Sequence, residues 1–506
     1  MQIVAARTQQ KASQPAAHGA WVFGIAAAIA VLHLATNGRY GFHRDELQFL
    51  SDARHLDWGF VSYPPFTPVI ERISLILFGT SLVGLRLFSV LAQAVAIVTS
   101  ALMARELGGG GRAQVYTALA VALSPLPLFW GTEFQYSSFD YLWWVLAAYF
   151  IIRLLNSQNP RWWLAIGAVL GVGAQTKYSI AFFVAGILGG MLLSQTRRWF
   201  ASRWFWAGIA VALLIASPNL IWQARHDWIS LHFLQYIHAR DVHMGRDDDF
   251  VSKQFWINVN LCATPLWVAG LVSCFRTPRL RLLGWMYAIT FGLFVLFQAR
   301  SFYLAPAYPM LIGQGAVVAE RWMASRKGPW RLGLEALMIT GLLAAGAQAA
   351  STIIPLAERG PIFRYALTHN LDLREEIGWE DQVAMVASIR DALPPERRAS
   401  YGVVTANYGE QGAVELYGPA YHLPPPISMT NSGWLRAYPT PQPTTLIVLG
   451  FTRNQAEDAF TGCRLAGVFD TGGIENEESK WHSQIFLCGS PRLSWPEFWK
   501  KYQNFG

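Results

Sequence analysis

Long apolar runs separated by short polar segments fill most of the first 350 residues of the chain. A membrane-spanning helix needs about 20 predominantly apolar residues, and about eleven runs approach that length. They cover approximately residues 21–36, 82–103, 115–130, 139–152, 163–176, 179–193, 204–222, 255–274, 282–297, 303–318 and 332–350. The pattern therefore predicts a polytopic α-helical membrane protein with about eleven transmembrane helices. Residues 163–193 leave two possibilities open, either two spans or one bent helix.

The basic residues between these runs predict how the chain is oriented. Lysines and arginines cluster in alternate connections, at residues 7–11, 105–112, 153–161, 197–203, 276–281 and 321–331. Cytoplasmic connections of membrane proteins are enriched in these residues. If both spans between residues 163 and 193 exist, every cluster lies on the side of the N-terminus, which we predict to be cytoplasmic. In a bacterial inner membrane, residues 38–81, residues 223–254 and everything after about residue 351 would then face the periplasm.

Beyond residue 351 the hydrophobic pattern changes. Short β-type runs at residues 401–405, 445–450 and 484–488 alternate with helical stretches at 380–392 and 454–460. We predict a transmembrane domain at residues 1–350, which includes a catalytic first periplasmic loop at 38–81, and a small periplasmic α/β domain at 351–506. Cys463 and Cys488 lie in the second domain, where an oxidising compartment would permit a disulfide.

Composition supports the membrane assignment and argues against nucleic acid as a partner. Hydrophobic residues make up 53% of the 506 residues and charged residues only 14%, whereas soluble domains have about 25% charged residues. The formal net charge of +8 resides in short clusters between apolar runs. Membrane topology explains such clusters without a nucleic-acid surface.

Adjacent carboxylates, Asp45 and Glu46, follow the first span on the predicted outer side. One of them could accept a proton from an attacking hydroxyl or amine while the other positions a group or helps to hold a cation. The alternative is a helix start, where acidic residues suit the helix dipole. Downstream, Tyr63 and Pro64 precede a second proline, and this rigid turn is either a structural corner or a wall of the substrate site.

Further polar residues lie at the predicted outer ends of the spans. Glu133 and Asp140 would line a water-filled cavity or reach the membrane interface. Lys177 interrupts an apolar hairpin at its outer turn, where an ammonium suits an anionic phosphate or anchors the interface. Arg300, just before Tyr303, has the same two interpretations.

Residues 223–254 contain four histidines and several aspartates. A divalent cation would suit such side chains, but their spacing matches no tight metal signature, so we expect a solvated loop. No cofactor or metal ligand follows from the motifs, and a divalent cation remains an open possibility.

A set of ordered motifs carries a resemblance to a known family. The motifs are HRDE at 43–46, YPP at 63–65, GLRL at 84–87, TKY at 176–178 and SFYLAPAYP at 301–309. With them, about the first 320 residues resemble the bacterial branch of glycosyltransferase family 39, which comprises enzymes similar to protein O-mannosyltransferases, lipid A aminoarabinose transferases and RgtA/B/C/D.

The resemblance implies a C-type glycosyltransferase fold and inverting transfer from a polyprenyl-phosphate-linked sugar at the periplasmic face. The acceptor would be a lipid, a glycan or a protein. Asp45 matches the acid of the family's first loop, the proposed base, and Glu46 matches its neighbour. The predicted substrate-binding residues are Arg44, Tyr63, Pro64, Arg86, Glu133, Lys177, Arg300 and Tyr303.

The C-terminal patterns ANYGE at 406–410 and LYGP at 416–419 look like recurring patterns of the bacterial branch, with no role that the sequence assigns. Three other functions compete with a transferase. A transporter or flippase of lipid-linked sugar would use charges at the membrane midplane and repeated halves, and no repeat is evident. A ligase would move a whole glycan between lipid carriers, and a non-catalytic scaffold would not need the paired acids.

Overall fold

The computed structural model describes residues 16–326 and 328–506. The basic cluster predicted at residues 7–11 lies outside this part of the chain, as does Lys327.

Helices make up the first two thirds of the chain. In order they are α1 (Ala16–Thr36), α2 (Arg44–Arg54), α3 (Phe66–Phe78), α4 (Leu82–Glu106), α5 (Gly111–Ala122), α6 (Pro125–Thr132), α7 (Tyr136–Ser157), α8 (Trp162–Ala174), α9 (Ile180–Leu192), α10 (Arg203–Arg225), α11 (Ile229–His243), α12 (Phe250–Trp256), α13 (Thr264–Arg276), α14 (Arg281–Leu296), α15 (Tyr308–Ala324) and α16 (Pro329–Ile353). Short 3-10 helices lie among them at Gln195–Ala201, Leu261–Ala263, Pro278–Leu280 and Ser301–Ala307.

Every apolar run of the sequence falls on one of these helices or on a bent pair of them. Within the described residues, 7 helices are long and apolar enough to cross a membrane, or up to 10 if each bent pair is one span. The bent pairs are α5 with α6 (60°), α9 with Gln195–Ala201 (107°), and α12 with Leu261–Arg276 (94°). The first bend occurs at Pro125, because proline cannot donate the helical hydrogen bond.

The polytopic helical class is therefore confirmed, while the number eleven stays a prediction. Residues 163–193 form two separate helices, α8 and α9, with residues 175–179 between them. The 13 residues of α8 make it a shorter apolar helix than the seven long candidates.

The expectation of a solvated loop at residues 223–254 was wrong. Most of this segment is helical, in α11 and α12. The first outer segment likewise contains two helices, α2 and α3, which are too short to span a membrane. Both segments were assigned as connections because their apolar residues are interrupted by charged ones.

The chain folds into two compact units that do not follow its order. One, the helical unit, contains the described residues up to Asn37, then Arg86–Ile221 and His238–Ile354. The other, the mixed unit, contains Gly38–Leu85, Trp222–Ile237 and Pro355–Gly506. The sequence-based division at residue 350 groups the chain by position, whereas these units group it by contacts and assign the first outer segment to the mixed unit.

The helical unit packs around aromatic side chains. Trp144 of α7 stacks on Phe183 of α9 with ring centroids 4.3 Å apart, and Phe294 of α14 lies 6.4 Å from Trp144. All three side chains are fully buried, so three helices distant in sequence share one apolar contact region.

The C-terminal part of the mixed unit is an α/β structure, as the pattern predicts. Its helices are α17 (Gly360–His369), α18 (Trp379–Asp391), α19 (Pro395–Arg398), α20 (Tyr408–Tyr417), α21 (Arg453–Ala459), α22 (Glu477–Trp481) and α23 (Trp495–Lys501), with 3-10 helices at Asp372–Glu376, Gly418–Tyr421 and Asn431–Arg436. Its strands are β1 (Tyr401–Thr405), β2 (Ile427–Ser428), β3 (Thr445–Val448), β4 (Arg464–Val468) and β5 (Gln484–Cys488).

These strands form one sheet in the order β2-β1-β3-β5-β4. Strand β1 is parallel to both of its neighbours, while β5 is antiparallel to β3 and β4. The β1, β3 and β5 runs were predicted, whereas β2 and β4 were not, because β2 has two residues and β4 is largely exposed. A disulfide joins Cys463, just before β4, to Cys488 at the end of β5.

Candidate active site

The two adjacent acids at the start of α2 have different environments. Glu46 is fully buried, and its carboxylate accepts a hydrogen bond from the backbone N–H of His43 at 2.8 Å. His43 in turn accepts a bond from the backbone N–H of Asp45 at 3.2 Å, which completes a capping box. Asp45 is only half-buried. The helix-start interpretation therefore describes Glu46, whereas Asp45 stays within reach of a substrate.

Side chains of the C-terminal part hold Asp45 and its neighbour Arg44. The hydroxyl of Tyr408 donates to Asp45 Oδ1 at 3.0 Å. The Arg44 guanidinium lies 4.8 Å from the centre of the Tyr408 ring and forms an ion pair with Glu477. Desolvation raises the pKa of the Tyr408 phenol, so the hydroxyl keeps the proton that it donates.

The ANYGE pattern explains how Tyr408 reaches this position. Asn407 caps α20, and Glu410 completes a capping box at its third residue. Gly412 then faces α2, where a Cβ would collide with the backbone carbonyl of Leu47. The absence of a side chain at Gly412 allows α20 to pack closely against α2, which places Tyr408 beside Asp45.

The predicted turn residues Tyr63 and Pro64 are both buried. Tyr63 donates to Asp52 at 2.5 Å, and Arg436 forms an ion pair with the same carboxylate at 2.6 Å. Burial raises the pKa of Asp52 to about 6, although Arg436 and Tyr63 lower it in part. These contacts favour a structural corner over a substrate wall for this turn.

The mixed unit contains a further buried carboxylate, Glu71, that the sequence did not indicate. Glu71 of α3 is 1% exposed, and neither of its oxygens has a hydrogen-bond partner within the described residues. Burial, with the negative charges of Glu46 and Asp52, raises the pKa of Glu71 well above its ordinary value. The fold therefore favours the protonated form of Glu71.

In the helical unit, Lys177 lies among aromatic rings in the turn between α8 and α9. Its ammonium donates to Ser137 at 3.1 Å and lies 4.3 Å and 4.8 Å from the ring centres of Tyr303 and Tyr136. The structure thus brings together two of the predicted substrate-binding residues, Lys177 and Tyr303. A cation between two phenol rings suits a phosphate that carries an apolar chain.

Arg300 has a carboxylate partner that the sequence did not indicate. Asp241 accepts two hydrogen bonds from the Arg300 guanidinium, at 2.6 Å and 2.7 Å. This bidentate pair compensates the positive charge of Arg300. Lys177 also has an acidic neighbour, Asp140, but no direct ion pair joins them among the described residues, so Lys177 stays a candidate for a phosphate ligand.

The two remaining predicted binding residues, Arg86 and Glu133, are fully buried in the helical unit. Arg86 donates to the backbone carbonyl of Asn37 at 3.1 Å, and Glu133 accepts from Gln135 at 3.0 Å. Asp140 is also buried and accepts from Trp144 at 3.0 Å. Burial of Glu133 and Asp140 disfavours the interpretation that they reach the membrane interface.

These features define a class of protein: a polytopic α-helical membrane protein with a small C-terminal sheet domain and an acid at the start of α2, the helix that follows its first span. The fold is similar to that of ArnT from Cupriavidus metallidurans bound to undecaprenyl phosphate, with a TM-score of 0.55 and 17% identity. The apo state of ArnT gives a TM-score of 0.56 and 14% identity. Each likeness covers 93% of this chain and 98% of the other, and the C-type glycosyltransferase fold is confirmed.

Sequence comparison points the same way. Residues 62–222 match the family model described as dolichyl-phosphate-mannose-protein mannosyltransferase. Lipid A galacturonosyltransferase RgtD of Rhizobium johnstonii is 27% identical over 327 residues, which cover 62% of this chain and 66% of the relative, just under two thirds of its length. The resemblance to family 39 membrane glycosyltransferases that the motifs indicate is thereby confirmed.

Proposed function

We propose that the chain is a membrane glycosyltransferase that transfers a sugar, with inversion, from a polyprenyl-phosphate donor to an acceptor at the periplasmic face. The observation that carries this proposal is the half-buried carboxylate of Asp45, held by Tyr408 at the start of α2 in an ArnT-like fold. Undecaprenyl phosphate bound to ArnT supports the kind of donor.

The transfer reaction mainly requires that the protein orient the substrates and stabilise charge. A lipid phosphate is a good leaving group, so the protein must deprotonate the acceptor and stabilise the departing phosphate. In this proposal Asp45 takes the proton of the acceptor hydroxyl or amine. Lys177 binds the donor phosphate, and Arg44 and Tyr408 position Asp45.

Two observations support the more specific parts of the proposal. The disulfide between Cys463 and Cys488 is typical of an oxidising compartment, which supports a periplasmic location for the C-terminal part. The similarity to lipid A galacturonosyltransferase RgtD favours a lipid A-type glycolipid over a protein or a free glycan as acceptor.

The test is transfer by the purified full-length chain in lipid nanodiscs, with a polyprenyl-phosphate-linked sugar and a lipid A-type acceptor. Asp45→Asn removes the base with little change in volume. We expect kcat to fall by about 100-fold or more, while donor binding stays within about threefold of the wild type, because Asp45 contacts the acceptor.

The matched control is Asp381→Asn, the same change at an exposed aspartate of α18, which should leave transfer intact. Equal transfer by wild type and Asp45→Asn would remove Asp45 from the mechanism. Donor binding by the wild type without turnover of any lipid-linked donor would favour the transporter or flippase.

A further inference from the structure

Three potential metal ligands meet in the C-terminal part of the mixed unit, in a place that the sequence did not indicate. Glu410 of α20, Glu478 of α22 and His482 each offer one ligand atom, and these atoms all lie within 4.8 Å of one another. Glu410 is 0% and Glu478 1% exposed. Within the described residues, the histidine-rich segment 223–254 forms no such group.

The existing hydrogen bonds leave room for a ligand. Glu410 Oε2 accepts from the backbone N–H groups of Ala406 and Asn407, at 3.0 Å and 3.4 Å. Its second oxygen, Oε1, is buried and accepts from no donor in the part of the chain that the structure describes. Glu478 accepts from the side-chain amide of Asn407, at 3.1 Å and 3.4 Å, and its carboxyl group lies within hydrogen-bond reach of that of Glu410. Burial removes the water that would otherwise solvate such an oxygen, and a bound metal ion would replace that lost hydration.

The tautomer of His482 suits a metal ligand. His482 Nδ1 lies 2.9 Å from the carbonyl oxygen of Gly450. Since a carbonyl only accepts, Nδ1 must carry the proton, and the neutral ring then has its lone pair on Nε2. Metal-binding histidines typically donate their other ring N–H to such a carbonyl.

Gly450 also keeps the space beside Glu410 open. Its φ is +74°, in the left-handed region that favours glycine, and a Cβ there would lie 2.6 Å from both carboxylate oxygens of Glu410. Gly450, whose carbonyl oxygen bonds His482, therefore leaves the space next to the Glu410 carboxylate free of any side chain of its own.

Charge at this location is unbalanced. Glu410 and Glu478 repel each other unless a proton or a cation lies between them. The nearby guanidinium of Arg44 attracts Glu478, but it is also paired with Glu477, so one positive charge is shared among several carboxylates. A divalent cation would neutralise both carboxylates.

We propose that Glu410, Glu478 and His482 bind one divalent transition-metal ion, with Zn²⁺ preferred over Mg²⁺. Two carboxylate oxygens and one imidazole nitrogen form a mixed N/O ligand set of the kind that Zn²⁺ accepts, with a remaining position for water. Mg²⁺ prefers oxygen ligands alone and keeps several waters.

In this proposal the metal site influences Asp45 of α2 by fixing the positions of the residues around it. Helix α20 carries Tyr408, the donor to Asp45, and α22 carries Glu477, the partner of Arg44. An ion that bridges Glu410 and Glu478 joins these two helices. The bound ion thus fixes the side chains that hold Arg44 and Asp45, and it takes no part in the transfer itself.

Metal binding to the full-length chain, without an affinity tag, tests this proposal. After treatment with a chelator and removal of the chelator, calorimetric titration with Zn²⁺ should show one site per chain and a higher affinity than for Mg²⁺. Glu478→Gln and His482→Gln should each lower the Zn²⁺ affinity at least 10-fold, while His369→Gln, at an exposed histidine of α17, should not.

Titration with Co²⁺ provides a second readout that does not depend on activity. The visible absorption of bound Co²⁺ should change in His482→Gln, because its ligand nitrogen is lost. No Zn²⁺ binding by wild type at pH 7 would overturn the proposal in favour of a shared proton between the carboxylates. Unchanged Zn²⁺ binding in both variants would overturn it by assigning the ion to other residues.

Discussion

At the scale of single residues, the contact between Tyr408 and Asp45 joins side chains that are 363 positions apart. Tyr408→Phe removes the hydroxyl and leaves the ring under Arg44. A hydrogen bond to a charged group contributes about 1.5–3 kcal/mol, so we expect kcat for sugar transfer to fall by roughly 10- to 100-fold. The KM for the donor should hardly change, because Tyr408 positions Asp45 and does not contact the donor. The melting temperature should fall by no more than a few degrees, because a few kcal/mol shift it little in a chain of this size.

The control for this prediction is Tyr401→Phe, whose hydroxyl donates to the backbone carbonyl of His422 at the surface. It should retain wild-type kcat. A loss of melting temperature that accounts for the loss of activity in Tyr408→Phe would contradict a positioning role and indicate a structural one.

Glu71 provides a pH-dependent prediction at the same scale. Its pKa is raised in the folded state, so folding must keep a proton that the unfolded chain releases above about pH 4.5. The contribution of protonated Glu71 to the free energy of unfolding is fully present below that pH. It is lost by about 1.4 kcal/mol per pH unit as the pH rises toward the pKa of Glu71 in the folded state. Glu71→Gln is neutral throughout, so its melting temperature should match that of wild type near pH 4.5 and exceed it at pH 7–8.

Melting curves of wild type and Glu71→Gln across this range test the prediction. Glu380→Gln, at an exposed residue of α18, should show no pH-dependent difference. If Glu71→Gln proved less stable than wild type at pH 8, Glu71 would be ionised and stabilised by a partner.

At the scale of elements, the sequence predicted what depends on local pattern. Spans were found because a bilayer demands long apolar runs, and β1, β3 and β5 because they are short β-type runs bounded by turn residues. Helices α2, α3 and α11 were assigned to connections because they are short and because charged residues interrupt their apolar positions.

The same reasoning explains which site residues were found. Asp45 and Lys177 interrupt an apolar context, so the sequence singles them out. Glu71 and Glu478 could not be found in this way, because their significance arises from burial and from partners distant in the chain. Asp241 stood out only as one of several aspartates in the histidine-rich segment, and its pairing with Arg300 was not predicted. The ANYGE pattern was visible, but only its packing against α2 gives it a role.

The disulfide beside β4 and β5 gives a prediction at this scale. It closes a segment of 25 residues, and a loop of that length corresponds to about 3 kcal/mol of stabilisation, chiefly through restriction of the unfolded chain. Cys463→Ser should therefore lower the melting temperature, and reductant should lower that of wild type similarly while leaving Cys463→Ser unchanged. Cys262→Ser, at an unpaired cysteine, should behave like wild type, and an equal response of Cys463→Ser to reductant would contradict the assignment.

At the scale of the whole molecule, the basic clusters predict the orientation, because positively charged connections tend to remain cytoplasmic. An N-terminus in the cytoplasm and an odd number of spans would put the C-terminal α/β part outside the cell membrane, where the Cys463–Cys488 disulfide is permitted. Orientation and span parity are thus linked: eleven spans agree with a periplasmic disulfide domain, whereas ten would put the C-terminal part on the opposite side of the membrane from Asp45, which Tyr408 contacts.

Cysteine labelling tests this link. Glu396→Cys adds an exposed thiol in α19, and Asn159→Cys adds one between α7 and α8, in the predicted cytoplasmic connection. A membrane-impermeant maleimide added to cells with a permeabilised outer membrane should label Glu396→Cys and leave Asn159→Cys unlabelled until the inner membrane is lysed. The wild-type chain gives the background from native cysteines. Protection of Glu396→Cys before lysis would instead require the opposite orientation of the whole chain, and with it a transfer reaction on the cytoplasmic face, because the contact between Asp45 and Tyr408 keeps the segment after the first span on the same side as the C-terminal part.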